Sequence, residues 1–470
     1  MYLVGIIAEL GIILTYFYEK VKRFYKIGNS NANFTHTTSM KSLWTNNLTP
    51  PKFPALTENI KTDVLIIGGG ISGVLCAYFL HTLGVDYALV EAAEVGSGIT
   101  KNTTAKITSQ HGLIYDKLIK SIGVERAKMY LQANQIAVEK FKTLSEKFPC
   151  SLQEKDAFVF SLNAPKSLEQ EVRAVNHLGF NASFERNLPL PFKTAGAVRF
   201  PNQAQFNPLE FLYGISAGLN IYENTPVREL ANNIALTDRA RIAAKKIIIA
   251  THFPFLNKHG SYFLKMYQRR SYVVALENAG DVGGMYIQDT QDGISLRNHK
   301  DFLLLGGGGH RTGEVGGNWQ ELRKFAQRFY PNASEHVAWA TQDCMTLDGI
   351  PYIGRYSAKT RDLYVATGFN KWGMTGAMTA AMILTDKIVG RGSPHAEVFS
   401  PSRSMLKPQL AINGVKAVGN LLTISRRRCP HMGCALKWNP HEKSWDCPCH
   451  GSRFERGGKL IDNPATGDLK

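Results

Sequence analysis

Residues 62–91 constrain this chain more than any other stretch. Thr62 to Ile67 is a short run of mostly β-branched and aliphatic residues, the composition of a parallel strand buried on both faces. It runs into Gly68-Gly69-Gly70-Ile71-Ser72-Gly73, a G-x-G-x-x-G turn, and then into a helical pattern from Val74 to Leu83 that stops at Gly84. Tyr87-Ala88-Leu89-Val90 follows as a second strand and delivers Glu91. In such a unit Gly68 permits the tight turn, Gly70 admits a pyrophosphate to the backbone, and Gly73 lets helix and strand close up. The helix N-terminus presents unpaired N–H groups to phosphate, and Glu91 accepts from a ribose. With strand, turn, helix and acid in register, the segment reads as a dinucleotide site.

Beyond Glu91 nothing matches the compact remainder of a nicotinamide domain. Val95-Gly96-Ser97-Gly98-Ile99-Thr100 through Gln110-His111-Gly112 instead resembles the small-residue segment that wraps the flavin in the D-amino-acid oxidase and glycine/sarcosine oxidase family. Thr225-Pro226-Val227, Lys246 to Thr251, Asp348 to Gly354 and Leu363 to Phe369 resemble further elements of that family, and the last leads into a helix through Gly376 to Gly390. The resemblance spans roughly residues 60–395 and implies FAD rather than NAD. It implies cofactor contacts from Gly68, Gly70, Ser72, Gly73, Glu91, Thr100, His111, Val227, Gly368, Met374 and Thr375. The family can attach flavin covalently through His or Cys, which leaves His111 either as an attachment point or, as expected here, in a non-covalent structural role. It also implies a discontinuous FAD part (about 60–150, 200–255 and 341–395) and an antiparallel substrate part (about 151–199 and 256–340). The strand-like runs Phe158 to Leu162, Tyr272 to Leu276 and Phe302 to Leu305 agree with that division.

A second chemistry stands at the C-terminus. Cys429-Pro430-His431 and Cys447-Pro448-Cys449-His450 each offer one Cys and one His from separate loops. A Rieske [2Fe–2S] centre needs two thiolates on one iron and two imidazoles on the other. Zinc also accepts two Cys and two His, but its fingers pair like with like, whereas these loops mix the two. The region resembles high-potential Rieske proteins. That resemblance implies ligands Cys429, His431, Cys447 and His450, a loop-locking disulfide between Cys434 and Cys449, a hydroxyl donor to the cluster in Ser452, and a covering loop at Pro464. Phe454 replaces the tyrosine of the respiratory proteins, which predicts a lower potential. Between Gly392 and Cys429 there is little room for the usual base of a Rieske domain, so the base is expected to be reduced or to lean on its neighbour.

The fold expected is thus α/β + β: an interrupted Rossmann-type FAD domain with an antiparallel substrate domain (residues 40–395), then a small all-β Rieske domain (405–470). The family resemblance implies oxidation of a small amine or amino acid by hydride transfer to FAD, with electrons leaving through the cluster to a one-electron acceptor, protein or quinone. Arg270, Tyr272 and Arg297 are candidates for holding a substrate carboxylate, since a guanidinium grips it in bidentate fashion. The bland alternative makes these arginines surface cations or structural ion pairs. His310, Lys371 and Trp372 are further candidates. A redox sensor without catalysis is the competing reading. A nicotinamide-driven reductase is disfavoured, because Gly306 to Gly309 opens no helix.

The net charge of +17 favours acidic partners, yet no aromatic-studded basic module points to nucleic acid. Its one dense run is Arg426-Arg427-Arg428, directly before the first cluster cysteine. Of seven cysteines, Cys76, Cys150 and Cys344 are scattered, which suits core packing in a reducing, cytoplasmic compartment. Residues 1–18 are apolar but for Glu9 and are followed by Lys20, Lys22, Arg23 and Lys26. They read as a marginal anchor that holds the chain on the cytoplasmic face, or as an extension upstream of a start at Met40. Residues 29–39 read as linker.

Overall fold

The computed structural model describes residues 41–469 except residue 47. The expectations for residues 1–39 lie outside the described residues. Strand Ile60–Ile67 pairs in parallel with Arg241–Ile249 on one side and Tyr87–Val90 on the other, as its unbroken apolar run requires. Leu363–Thr367 and Ile221–Tyr222 extend the parallel order, and Tyr352–Arg355 adds an antiparallel edge. The strand pair Val227–Ala231 and Ile234–Thr237 completes an eight-stranded sheet. Helices Ile71–Thr82, Val124–Lys147 and Gly373–Ile388 pack together over one face, around Val74, Leu80, Ala137, Phe141 and Leu384.

A nine-stranded, mostly antiparallel sheet stands beside it. The long strand Met266–Glu277 lies between Ser334–Thr346 and Phe302–Arg311, followed outward by Ser295–His299, Met285–Gln288, Gln153–Ser161, Gly196–Gln205 and Lys106–Ile107. All three strand-like runs read from the sequence belong to it. Its strands run on to Gln205 and Thr346, past the expected breaks at 199 and 340, because a strand follows its partner's pairing rather than a motif boundary. Glycines 306–309 lie within strand Phe302–Arg311 and open no helix themselves, the next helix being Trp319–Phe329.

The C-terminal region holds a third sheet of four short antiparallel strands, Lys437–Asn439, Ser444–Asp446, Arg453–Glu455 and Leu460–Asp462. Between residue 395 and this sheet the regular element among the described residues is helix Pro408–Leu422. This helix buries Asn413, which accepts from Arg311 Nη1 at 3.1 Å and donates to the Leu264 carbonyl at 3.2 Å. Ile412, Val415, Val418 and Leu422 stand exposed on its other side. The reduced base therefore leans on the flavin-domain strands through polar contacts. Among the described residues no helix is long and apolar enough to cross a membrane.

Candidate flavin cavity and cluster site

The C-terminal ends of the parallel strands open into one cavity of about 890 Å³. Its floor is the glycine turn. Gly68 has φ +115°, and a Cβ there would stand 2.6 Å from the Ala250 carbonyl oxygen. A Cβ on Gly73 would stand 1.9 Å from the Gly68 carbonyl oxygen, so helix and strand meet as closely as the motif demands. Glu91 points back over the turn, accepting from Gly69 N at 2.6 Å and Ala93 N at 2.9 Å, and burial raises its pKa. Thr100 Oγ1 accepts from Ile71 N at 3.0 Å and faces the cavity. The Ser72 hydroxyl is buried at the helix start without a partner among the described residues. This cradle fits a dinucleotide pyrophosphate.

Gly70, Val227 and Met374 also line the cavity. Gly368 and Thr375 lie behind its wall: Gly368 turns the chain at φ +69°, and Thr375 Oγ1 donates to the Thr108 carbonyl at 3.1 Å. The His111 ring stacks on Trp372 at 4.8 Å. Its Nε2 faces the Thr108 carbonyl at 2.9 Å and so carries the proton, leaving Nδ1 to accept from Tyr130 at 2.6 Å. Burial pushes its pKa down to about 3, and neither nitrogen is left for a bond to flavin.

Two of the three substrate candidates do not serve as expected. Arg270 is buried and committed to the third sheet: its Nε donates to Glu442 Oε1 at 3.0 Å, its Nη2 meets Glu442 Oε2, and Asp462 lies 3.9 Å from Nη1. Arg297 is fully buried, with its guanidinium turned to the carbonyls of Ala105 (2.7 Å) and Phe206 and its pKa lowered by burial to about 9. Main-chain acceptors and a carboxylate from a distant segment have taken both groups. Tyr272 does line the cavity, its hydroxyl between His310 Nε2 (2.9 Å) and Glu442 Oε1 (3.2 Å). Lys371 and Trp372 line it as well.

At the other end the cavity wall is built from the third sheet. Leu460 to Asn463, Ala465 and Thr466 face it, so the loop carrying Pro464 borders the flavin cavity. His252, beside them, has φ +63°, an unpartnered buried Nε2, and a pKa that burial lowers to about 4. Sequence reasoning missed His252, Asp343 and Glu442. An isolated His or acid on a strand or loop carries no local mark of its role.

The cluster loops meet the flavin domain with their histidine ends. Gln268 Nε2 donates to the His450 carbonyl at 2.7 Å and Gln342 Nε2 to that of Gly451 at 2.9 Å. Asn463 Nδ2 reaches the Phe253 carbonyl at 2.8 Å. The His431 and His450 rings lie 5.0 Å apart, with Phe253 near both and Phe263 against His450. His431 Nε2 binds Asn257 Oδ1 at 2.9 Å, and Nδ1 of both histidines is buried without a partner among the described residues. Cys429 and Cys447 are buried, and the Cys447 thiol together with the Ser452 hydroxyl lowers the Cys429 pKa to about 7. Cys434 and Cys449 form a disulfide between the two loops. Two orphaned imidazole nitrogens beside two free thiols suit a Rieske cluster. A proximity grouping of Cys434, Cys447 and Cys449 is a poorer donor set, because two of its sulfurs are bonded to each other.

The family model for FAD dependent oxidoreductases (DAO) matches residues 63–387, and that for the Rieske [2Fe-2S] domain matches residues 402–470. The chain is 34% identical to the putative Rieske 2Fe-2S iron-sulfur protein YhfW of Bacillus subtilis, over 92% of this chain and 97% of that one. In fold it is similar to L-proline dehydrogenase from P. horikoshii (TM-score 0.63, 20% identity, 75% of this chain and 98% of that one). Glycine oxidase from Geobacillus kaustophilus is comparable (TM-score 0.63, 19% identity, 73% and 99%). The cofactors are FAD and a [2Fe–2S] cluster. The chain belongs to the FAD-dependent oxidoreductase family and carries a C-terminal Rieske domain.

Proposed function

We propose that this oxidoreductase takes electrons from a small amine or amino acid at the flavin cavity and passes them through the Rieske cluster to a one-electron acceptor, a protein or a quinone. The observation that carries this reading is the docking of the cluster loops. The His431 and His450 rings lie against Phe253 and Phe263 of the flavin domain, while residues 460–466 of the same small sheet line the flavin cavity.

The flavin, when bound, accepts two electrons as a hydride, and the cluster carries one at a time. In this reading the turn Gly68–Gly73 and the Ser72 hydroxyl hold the pyrophosphate, Glu91 holds the ribose, and Val227 borders the adenosine half. His111, neutral and fixed by Tyr130, supports the flavin ring through Trp372. Cys429, His431, Cys447 and His450 ligate the cluster, and Gln268 and Gln342 fix the His450 loop against the flavin domain.

Anaerobic mixing of the holoprotein with a panel of amines and amino acids tests this, with flavin absorbance and the cluster's EPR signal followed separately. Bleaching of the flavin followed by reduction of the cluster is expected. A flavin that bleaches while the cluster stays oxidised removes the relay. A flavin that no member bleaches favours a sensor.

A further inference from the structure

The wall of the cavity formed by the second sheet carries a charge that nothing described above uses. Asp343 lies on strand Ser334–Thr346, paired with Arg269 of strand Met266–Glu277 and within hydrogen-bond reach of Ser271, and Asp343 and Ser271 both line the cavity. Its Oδ2 accepts one hydrogen bond, from Ser271 Oγ at 3.3 Å, and among the described residues it forms no ion pair.

The cations near it are already engaged. Arg269 is paired with Asp292 at 2.5 Å, and Arg270 with Glu442. Lys371 Nζ donates to the Gln291 carbonyl at 2.5 Å, and its charge is shared between Asp343 and Asp292. Burial raises the Asp343 pKa against the opposing pull of Lys371, Arg270 and Arg269. Asp343 is only half-buried by exposed area, so the cavity reaches its carboxylate, and no cation is bonded to it. Such a group in a cavity marks a place where a ligand supplies the missing charge.

We infer that Asp343 anchors the ammonium group of the substrate, so that the cavity takes a cationic amine. This rests on the amine-oxidising reading above and narrows it. A guanidinium free to face the cavity would grip a substrate carboxylate in bidentate fashion. Here Arg270 and Arg297, the candidates placed by strand position, are bound elsewhere. Gly306 and Gly307 form part of the same wall.

The test uses the oxidised holoprotein and two probes of matched shape at constant ionic strength. tert-Butylammonium carries the cation but no α-hydrogen, so it binds without being oxidised. Pivalate is its anionic counterpart. The expected result is a shift of the flavin absorbance with tert-butylammonium at concentrations where pivalate gives none. Asp343→Asn should weaken the cation by about ten-fold or more, as loss of a charged hydrogen bond does, and Asp343→Glu should retain most of the binding. Pivalate binding as tightly as the cation, no shift with the cation, or full affinity in Asp343→Asn would each overturn the assignment. If an Asn variant does not fold, the two-probe comparison on the unaltered protein still decides. A cation that binds through Asp343 in a protein whose flavin no amine bleaches would leave the anchor standing and remove the oxidation.

Discussion

Arg270 and Glu442 join the two halves of the molecule: the guanidinium Nε lies 3.0 Å from the Glu442 carboxylate, and both side chains are almost fully buried. Glu442 also receives Arg453 Nη2 at 2.8 Å, and Arg453 in turn holds Asp446 and Asp462. Burial opposes ionisation of Glu442, yet the two guanidiniums outweigh it and hold its pKa near 2. The small sheet thereby stays in contact with the cavity that Tyr272 lines.

Removing one member of this cluster leaves the others buried without a counter-charge. Glu442→Gln should destabilise the docked arrangement by about 3–5 kcal/mol. In calorimetry a single unfolding transition should then divide into two. The folded-state pKa of Glu442 lies below its unfolded value of about 4.3, so its contribution is complete above that pH. It is lost as pH falls through about 2. Acid titration of the unaltered protein should release the small sheet in that window, and Glu442→Gln should show no such step.

Ser452 and Phe454 set the hydrogen-bond supply around the cluster sulfurs. Phe454 is fully buried beside Cys429 and Cys447 and offers no donor, while the Ser452 hydroxyl reaches Cys429. Ser452→Ala should lower the midpoint potential and Phe454→Tyr should raise it. One hydrogen bond of about 1 kcal/mol corresponds to tens of millivolts, given ~59 mV per ten-fold for one electron. EPR-monitored redox titration reads both shifts.

Gly73 leaves no room for a side chain, since its Cβ would sit 1.9 Å from the Gly68 carbonyl oxygen. Gly73→Val should force helix Ile71–Thr82 away from strand Ile60–Ile67 and abolish FAD retention. The yellow flavin absorbance after gel filtration is the measurement. Gly84→Ala, at a helix end where a Cβ meets nothing within 4 Å but φ is +66°, should cost only about 1 kcal/mol and keep the flavin.

The disulfide between Cys434 and Cys449 ties the two ligand loops across a separation of 15 residues. Cys434→Ala with Cys449→Ala should destabilise the loops by about 2–4 kcal/mol. The visible absorbance of the cluster should then fade faster on warming, while flavin content stays unchanged.

Much of the molecule was legible because its chemistry is contiguous along the chain. Strand, glycine turn, helix and Glu91 fall within residues 60–91, and each cluster loop carries its own Cys and His. Local sterics and donor type decide such units, and they folded as read, down to the helix that ends before Gly84. The sparse residues before Cys429 left open a reduced base or one that leans on its neighbour, and helix Pro408–Leu422 in place of strands could not be foreseen.

What tertiary structure decided was which charges meet. Arg270 follows the strand position expected of a substrate ligand, but Glu442, 172 residues further on, folds back and takes it. Arg297 likewise finds main-chain carbonyls from distant segments. Asp343 bears no local mark, and only the packing of the sheets sets it on the cavity wall with Ser271 as its hydrogen-bond donor. Sequence alone marked the two cofactors, FAD and a [2Fe–2S] cluster, since each motif is assembled from short segments with a forced local geometry. The partner of a long charged side chain depends instead on which desolvated groups packing brings within a few ångströms, and that is settled only when the sheets close on one another.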